Sequence, residues 1–273
     1  MSRHSVEHFK QYERAAEQVL TRRLPVVLRI DGHCFSRLTE DAFDKPFDER
    51  FGDAMVSAAQ SVLEFCAGAE FAYVQSDETS ILLRNDHTPK TDALMGNRTQ
   101  KIASLTASRA SVAFNAAARS AGVATDAIFD CRVFVLPYAE LTDYFVWRQL
   151  DAFKNCVGMF AYWRLREEYG ADEAHDRLHG LSTAGQQELI FQKFGVNAND
   201  IDARWKRGVG IRRVEKELPL REVVDDEKLD QLLEAGHVDD ADETVTRTPW
   251  EVDDELPRWE KDPSYFDPFL PGS

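Results

Sequence analysis

Cysteine is scarce in this sequence of 273 residues, which contains four cysteines and no C-x-x-C pair. The four are Cys34, Cys66, Cys131 and Cys156. Zinc ribbons and disulfide frameworks need paired cysteines at short spacing, so the pattern argues against both classes of site. The sequence predicts reduced thiols.

Long apolar runs are also missing from the sequence. No stretch approaches the roughly 18 residues of a membrane-spanning helix, and the polar N-terminus shows no signal-peptide core. Hydrophobic residues make up 43% and charged residues 30% of the chain, which is typical of globular proteins and excludes collagenous or wholly disordered classes. The sequence therefore predicts a cytoplasmic protein that does not contact a membrane.

Positive charge is in deficit, because 33 Lys and Arg face 48 Asp and Glu, which gives a formal net charge of −15. The deficit is concentrated in residues 214–273, which hold 19 acidic and 6 basic side chains. Residues 1–213 are nearly neutral. Since phosphate binding depends on local basic clusters and not on the global sum, a polyanionic partner is compatible with this composition.

The first half of the chain shows strand and helix periodicities in a recognisable order. A β-branched apolar run over residues 25–30 predicts a strand, and apolar spacings of three and four over 51–66 predict a helix. Two strand-like runs over 71–84 flank the polar tetrapeptide SDET, which predicts a hairpin. An Ala-rich helix over 98–119 and a strand over 128–137 follow. The order β-α-β-β-α-β predicts an α+β fold, a ferredoxin-like palm of the kind found in polymerases and cyclases.

The second half predicts an extension and a tail. Residues 141–170 have a long helical pattern, shorter helices follow, and the basic run 204–213 leads into a strand. We therefore assign the palm to 1–137 and a helical extension with a C-terminal strand, packed on the palm, to 138–216. Residues 217–273 are acidic and are expected to form a partly ordered tail.

Two carboxylates are expected to meet at one end of the palm sheet. In this topology strands 1 and 2 run in the same direction, so Asp31, after strand 1, lies near Asp77, in the turn after strand 2. Such a pair can hold two divalent cations about 4 Å apart for phosphoryl or nucleotidyl transfer, and magnesium suits oxygen ligands. The carbonyl of Gly32 can add a ligand, and the amides from Gly32 to Phe35 can cradle a triphosphate. The alternative is an ordinary strand-ending turn and an ordinary hairpin.

Basic side chains are candidates for contacts with phosphates. Lys45, Arg98 and Lys101 can neutralise a nucleotide, and the run RWKRG with Trp205 can bind nucleic acid by phosphate contact and stacking. For each isolated Lys or Arg, the alternative is a solvated surface.

The motifs together resemble the tRNA(His) guanylyltransferase superfamily. The resemblance rests on VVLRIDGHCFSRL, FDKPFDERF, AYVQSDETSILL, FDCRVFVLP, DYFVWRQLDAFKN, and ELIFQKFGVNAND with RWKRG, which occur in this order between about residues 5 and 213. It implies a polymerase-like palm, two magnesium ions, GTP and ATP as substrates, and addition of nucleotides to RNA 5′ ends in the 3′-to-5′ direction. A homotetramer is also expected from the resemblance.

The resemblance also implies roles for individual residues. Metal ligands fall on Asp31, Gly32 and Asp77, with Glu78 beside them as a further catalytic carboxylate. The implied nucleotide-binding residues are Gly32, His33, Cys34, Phe35, Ser36, Lys45, Ser76, Arg98 and Lys101. The expected RNA-binding residues are Lys154, Asn155, Arg204, Lys206 and Arg207.

Three departures from the eukaryotic-type pattern affect the substrate expected. The H-I-N-N motif associated with recognition of the histidine tRNA reads Phe153-Lys154-Asn155-Cys156, an Arg after the D-G pair is His33, and an expected Lys is Gln186. The chain thus resembles the guanylyltransferase-like branch of 5′-end repair polymerases. The rivals are strict guanylate addition to histidine tRNA and, from another class, a nucleotide-binding regulatory palm that does not polymerise.

Overall fold

The computed structural model describes residues 6–235, 238, 240 and 242–271. Within these residues, no helix is both long and apolar enough to cross a membrane. The chain forms two compact units, one from residues 1–210 together with 253–273 and one from residues 211–252.

Four strands of the palm sheet lie wholly within the first unit. They are β1 (Val26–Gly32), β2 (Ala69–Gln75), β3 (Glu78–Leu83) and β4 (Phe129–Val135). They lie in the order β4-β1-β3-β2, and each neighbouring pair is antiparallel. Because β3 separates β1 from β2, those two strands run in the same direction. The predicted α+β palm is confirmed.

Helices cover both faces of this sheet. The N-terminal part contains α1 (Val6–Ala15), α2 (Phe35–Ala42), α3 (Glu49–Phe65) and α4 (Thr99–Ser120). α3 packs on β2 and β3, and α4 packs on β4 and β1. In α3 the buried side chains Ala54, Met55, Ala58 and Val62 recur at helical spacing, which is the pattern expected for a helix with one buried face.

The opposite face carries the long helix α5 (Tyr138–Tyr169), which runs without a break through Gly158 and ends before Gly170 at φ 87°. Leu141, Tyr144 and Phe145 of α5 pack on Val27 and Leu82 of the sheet. The extension continues as α6 (Ala171–Leu178), α7 (Thr183–Phe194) and α8 (Ala203–Arg207). Short 3-10 helices span Leu94–Asn97, Ala198–Asp200 and Pro263–Phe269.

Residues 253–271 contradict the expectation of a partly ordered tail. Leu256, Trp259, Phe266 and Phe269 are buried in one cluster with Phe71 of β2. The backbone N–H of Trp259 donates to Gln149 Oε1 of α5 at 2.9 Å. The prediction is wrong here because it weighed net charge, whereas the acidic side chains of this segment face solvent and its aromatic side chains face the core.

The second unit also has regular structure where a tail was expected. The strand β5 (Val209–Arg213) leads into it, followed by β6 (Lys216–Pro219), α9 (Leu220–Val223), α10 (Asp226–Glu234), β7 (Thr244–Arg247) and β8 (Trp250–Asp253). β6 and β7 pair antiparallel, with Leu218 opposite Val245. The unit buries Leu220 and Leu229.

Candidate active site

Asp31 and Asp77 meet at one end of the palm sheet, as the strand order requires. Asp31 lies directly opposite Glu78 in the β1–β3 register, and the N–H of Gly32 donates to the carbonyl of Asp77 at 3.0 Å. Ser76, in the two-residue turn between β2 and β3, has a φ of 49°, so the turn is tight. We call Asp31 and Asp77 the carboxylate pair.

Asp31 lies close enough to Asp77 for its charge to affect the protonation of Asp77. Burial raises the pKa of Asp77, and the neighbouring charge of Asp31 raises it further. The nearest cation to Asp31 is the Arg132 guanidinium, whose Nη1 lies 3.8 Å from Asp31 Oδ2. A site with two neighbouring carboxylates and oxygen donors favours a hard divalent cation.

The donor set fits magnesium better than zinc or a transition metal. Among the described residues there is no group of three or more His, Cys, Asp and Glu side chains that could hold a metal ion. A site built from two carboxylates and a backbone carbonyl supplies only oxygen ligands, and Mg²⁺ fills its remaining positions with water and substrate phosphates.

The turn after β1 is fixed by close packing. A Cβ at position 32 would lie 2.4 Å from the ring of Phe35, so only glycine allows this ring to fold back over the strand end. Phe35 is buried against Phe114 and Phe129, at centroid distances of 5.3 and 4.9 Å. The aromatic cluster holds the loop between Asp31 and α2 in place.

The predicted amide cradle is smaller than expected. The N–H of Gly32 donates to Asp77, and the N–H of His33 donates to the carbonyl of Ile128 at 2.9 Å. These two amides are therefore already used within the protein. His33, Cys34 and Ser36 are exposed, so their side chains line an open loop at the start of α2.

A cavity of about 780 Å³ opens beside the carboxylate pair. Ser36, Lys45, Ser76 and Asp77 line it, so the fold brings these four predicted residues together. The Lys45 ammonium donates to Thr39 Oγ1 at 2.7 Å, and burial lowers the pKa of Lys45. The volume lies within the usual range for ligand sites.

Sequence reasoning missed the wall that α5 and its neighbours contribute to this cavity. Tyr162, Trp163 and Arg166 line it, and Arg166 pairs with Glu40 of α2 at 2.7 Å. The Lys45 ammonium lies 5.6 Å from the centroid of the Trp163 ring. The run FAYWR on one helix is a possible sequence signal, but aromatic residues at that spacing usually belong to a core.

Glu78 is held by two arginines on the buried side of the sheet. Its Oε1 accepts from Arg148 Nε at 2.6 Å, and its Oε2 accepts from Arg29 Nε at 2.8 Å and Arg148 Nη2 at 2.9 Å. Both oxygens therefore have strong partners in the protein. Sequence reasoning missed Arg29 and Arg148. An arginine within the apolar stretch FVWRQL was the available signal, since a buried charge needs a partner.

Arg98 and Lys101 line a different cavity of about 550 Å³, together with Lys10 and Arg14 of α1. Arg98 forms an ion pair with Glu17 at 3.4 Å. Neither Arg98 nor Lys101 lines the cavity beside the carboxylate pair. The structure therefore divides the predicted nucleotide-binding residues between two places.

The predicted RNA-binding residues are also divided. Lys154 and Asn155 are exposed and line the first cavity. Arg204 also lines that cavity, where it is engaged by Glu49 at 2.7 Å and Asp53 at 2.5 Å, whereas Lys206 and Arg207 do not line it.

The remaining basic residues of this run also have contacts within the protein. Lys206 donates to the carbonyl of Asn199, and Arg207 lies 3.8 Å from Glu255. The Trp205 ring stacks on Phe47 at 5.2 Å, so this ring already has an aromatic partner.

A palm sheet that ends in two adjacent carboxylates, beside a cavity lined by lysine and serine, is the arrangement typical of palm-type nucleotidyltransferases. Comparisons with known proteins identify the family. The model of the tRNA(His) guanylyltransferase family matches residues 6–137, and the model of the Thg1 C terminal domain matches residues 139–248. The chain belongs to the tRNA(His) guanylyltransferase family.

Named relatives agree with this assignment. A probable tRNA(His) guanylyltransferase of Drosophila melanogaster is 32% identical over 76% of this chain and 72% of its own length. A bacterial tRNA(His) guanylyltransferase (Thg1)-like protein in complex with ATP has a TM-score of 0.77 and 31% identity, over 97% of this chain and 98% of its own. A corresponding complex with GTP has a TM-score of 0.71 and 29% identity, with the same coverage.

Proposed function

We propose that this protein adds nucleotides to the 5′ end of tRNA in the 3′-to-5′ direction, after the RNA 5′ end has been activated with ATP or GTP. The observation that carries the proposal is the carboxylate pair beside the cavity that Ser36, Lys45 and Ser76 also line. The names of the relatives support tRNA as the substrate class, and the ATP and GTP complexes of similar proteins support both nucleotides.

The residues of the site have distinct roles in this proposal. Asp31, Asp77 and the carbonyl of Gly32 would hold two Mg²⁺ ions, which supply charge neutralisation for the phosphates and lower the pKa of the attacking hydroxyl. Lys45 contributes positive charge beside Asp77, and Ser36 and Ser76 offer hydroxyl donors to phosphate oxygens. Glu78 orients the β3 end through Arg29 and Arg148.

The proposed reaction is a phosphoryl transfer from the activated 5′ end of the RNA to the 3′-hydroxyl of the added nucleotide. The 3′-hydroxyl of the added nucleotide attacks the 5′ phosphorus of the RNA, and a new phosphodiester bond forms. The bond to the activating group breaks, which releases AMP from an adenylylated end or pyrophosphate from a triphosphate end. The hydroxyl proton passes to solvent, so no histidine or cysteine base is required.

A stricter function is the alternative, namely addition of one guanylate to histidine tRNA, which is the activity in the names of the curated relatives. Phe153 is the observation that favours the broader proposal. It stands where the H-I-N-N pattern places histidine, and it packs with Val157 and Ile190 in the extension. An apolar ring cannot make the polar contacts of an imidazole.

A gel assay with labelled nucleotides separates these functions. The substrates are 5′-truncated tRNAs of several identities, full-length histidine tRNA and an anticodon variant of it, each with Mg²⁺ and ATP. Extension of every truncated tRNA until its acceptor stem is paired is the expected result. Addition confined to histidine tRNA and lost in the anticodon variant would establish the stricter function. Nucleotide binding with no addition to any RNA would favour the regulatory palm.

A matched variant sharpens the assay. Phe153→His restores the motif residue without touching the carboxylate pair. If the broader proposal holds, this variant keeps its activity on truncated tRNAs and gains discrimination for histidine tRNA. We also propose a homotetrameric, cytoplasmic enzyme, and sedimentation analysis and fluorescence imaging test these two points.

A further inference from the structure

β4 is the open edge of the palm sheet. It pairs with β1 on one side, and on the other side no strand of the described chain pairs with it. An open edge presents backbone N–H and C=O groups that another strand can pair with. The side chains along this edge therefore indicate either how the edge avoids pairing with other strands or which strand it pairs with.

The side chains at positions 128, 130, 132 and 134 form a pattern that matches itself when two copies of the strand are aligned antiparallel. Ile128, Asp130, Arg132 and Phe134 lie on the face of the sheet that carries α5, where Phe134 packs on Tyr144 at 5.7 Å. Read in order, they are apolar, acidic, basic and apolar. Asp130 and Arg132 are exposed, and Ile128 is 57% exposed.

In one antiparallel register, each charged side chain of this pattern faces an opposite charge and each apolar side chain faces an apolar one. With a twofold axis at Cys131, Asp130 lies opposite Arg132 of a second copy, and Ile128 lies opposite its Phe134. On the other face, Phe129 lies opposite Val133. Moving the axis to Asp130 or to Arg132 would place like charges opposite each other, which is destabilising.

We propose that β4 pairs with β4 of a second copy of this chain, in the antiparallel register centred on Cys131. Such an interface is isologous, since the same strand serves both copies and the two sheets become continuous. Opposite charges and aromatic–aliphatic pairs face each other across it, and both kinds of pair stabilise neighbouring strands.

The surroundings of Arg132 support this pairing. Within the sheet Arg132 lies opposite Arg29, which is a like-charge pair. Arg29 is compensated by Glu78 at 2.8 Å, whereas the ion pair of Arg132 with Asp31 measures 3.8 Å and the Arg132 side chain is 55% exposed. Asp130 of the second copy supplies the opposite charge. Apolar side chains are also exposed on the helices of both faces, at Val112 (70%) of α4 and Trp147 (51%) of α5.

Charge reversal tests the register. The mass of the full-length protein is measured by analytical ultracentrifugation over a concentration series, for the wild type, Asp130→Arg, Arg132→Asp and the double swap. Each single reversal places two like-charge pairs in the interface, and we expect the dissociation constant of the β4–β4 contact to rise roughly tenfold. The double swap restores opposite charges and should restore the wild-type mass.

Asp126→Arg is the matched control, because Asp126 is exposed and precedes the strand. Circular dichroism verifies that all variants fold. A monomeric wild type at micromolar concentration would overturn the proposal and indicate that the charges protect the edge. Unchanged mass in both single variants, failure of the double swap to restore association, or an equal effect of Asp126→Arg would also overturn it. The readout is mass, so failure of this proposal leaves the proposed RNA chemistry untouched.

Discussion

The carboxylate pair and the C-terminal segment, residues 253–271, use acidic residues in opposite ways. At the end of β1 and β2, Asp31 and Asp77 are brought together, and burial raises the pKa of Asp77. In the C-terminal segment, Asp254, Glu260 and Asp267 stay in solvent while Trp259 is fully buried. Burying a carboxylate costs folding free energy, so a buried carboxylate such as that of Asp77 indicates a ligand site. Asp254, Glu260 and Asp267 remain in water and carry no such cost, and residues 253–271 stabilise the fold through their aromatic residues.

The largest expected effect is on activity at the carboxylate pair. Asp77→Asn should lower nucleotide addition by at least about 10³-fold, because one metal position loses its charged ligand. The melting temperature should stay the same or rise, since a buried charge is removed. Single-turnover assays and thermal denaturation measure the two effects. Asp254→Asn, an exposed change in the C-terminal segment, is the control and should keep full activity.

The converse experiment targets the C-terminal segment. Trp259→Ala should destabilise the protein by about 3–5 kcal/mol, which is the range for large-to-small changes in a core. Trp147→Ala, at a ring that is 51% exposed, should change stability far less.

A truncation extends this test. A protein that ends at residue 216 lacks Leu256, Trp259, Phe266 and Phe269 and should not fold stably. If urea titration shows that the truncated protein is as stable as the full chain, the assignment of this segment to the core is wrong.

Glu78 links the two regions, because Arg148 lies on α5, the helix that also binds the backbone of Trp259 through Gln149. Glu78→Gln removes the only carboxylate paired with Arg29 among the described residues and one of the two paired with Arg148, which keeps Asp151 at 3.0 Å, and should cost about 3 kcal/mol of stability. Nucleotide binding at saturating Mg²⁺ should fall much less than in Asp77→Asn. If Glu78→Gln and Asp77→Asn lowered stability and nucleotide binding by equal amounts, the different roles assigned to Glu78 and Asp77 would be wrong.

The smallest effect concerns thiol reactivity near the site. Cys34 is exposed in the loop after Asp31, whereas burial raises the pKa of Cys66 and Cys156 to about 12 and that of Cys131 to about 11. At pH 8 we expect one fast thiol per chain with a disulfide reagent, because the thiolate is the reactive form. Cys34→Ser should remove the fast phase. If the fast phase persists in the Cys34→Ser variant, it belongs to another cysteine.

The palm and the carboxylate pair could be predicted from sequence because their signals are local. Strand and helix periodicities set the β-α-β-β-α-β order, and that order alone places Asp31 beside the turn with Asp77. The C-terminal segment could not be predicted in the same way. Its aromatic residues are separated by acidic residues and prolines, and their partners lie nearly 200 positions earlier, on β2.

The sequence by itself thus determined the topology, the convergence of Asp31 and Asp77, and the family. Tertiary structure decided the partners of the charged side chains. Glu78 is paired with Arg29 and Arg148, Arg204 is paired with Glu49, and Arg98 lies in a separate cavity from Lys45. A side chain's type shows that it can bind an opposite charge, but only packing decides which charge comes within reach, because electrostatic energy depends on distance and burial.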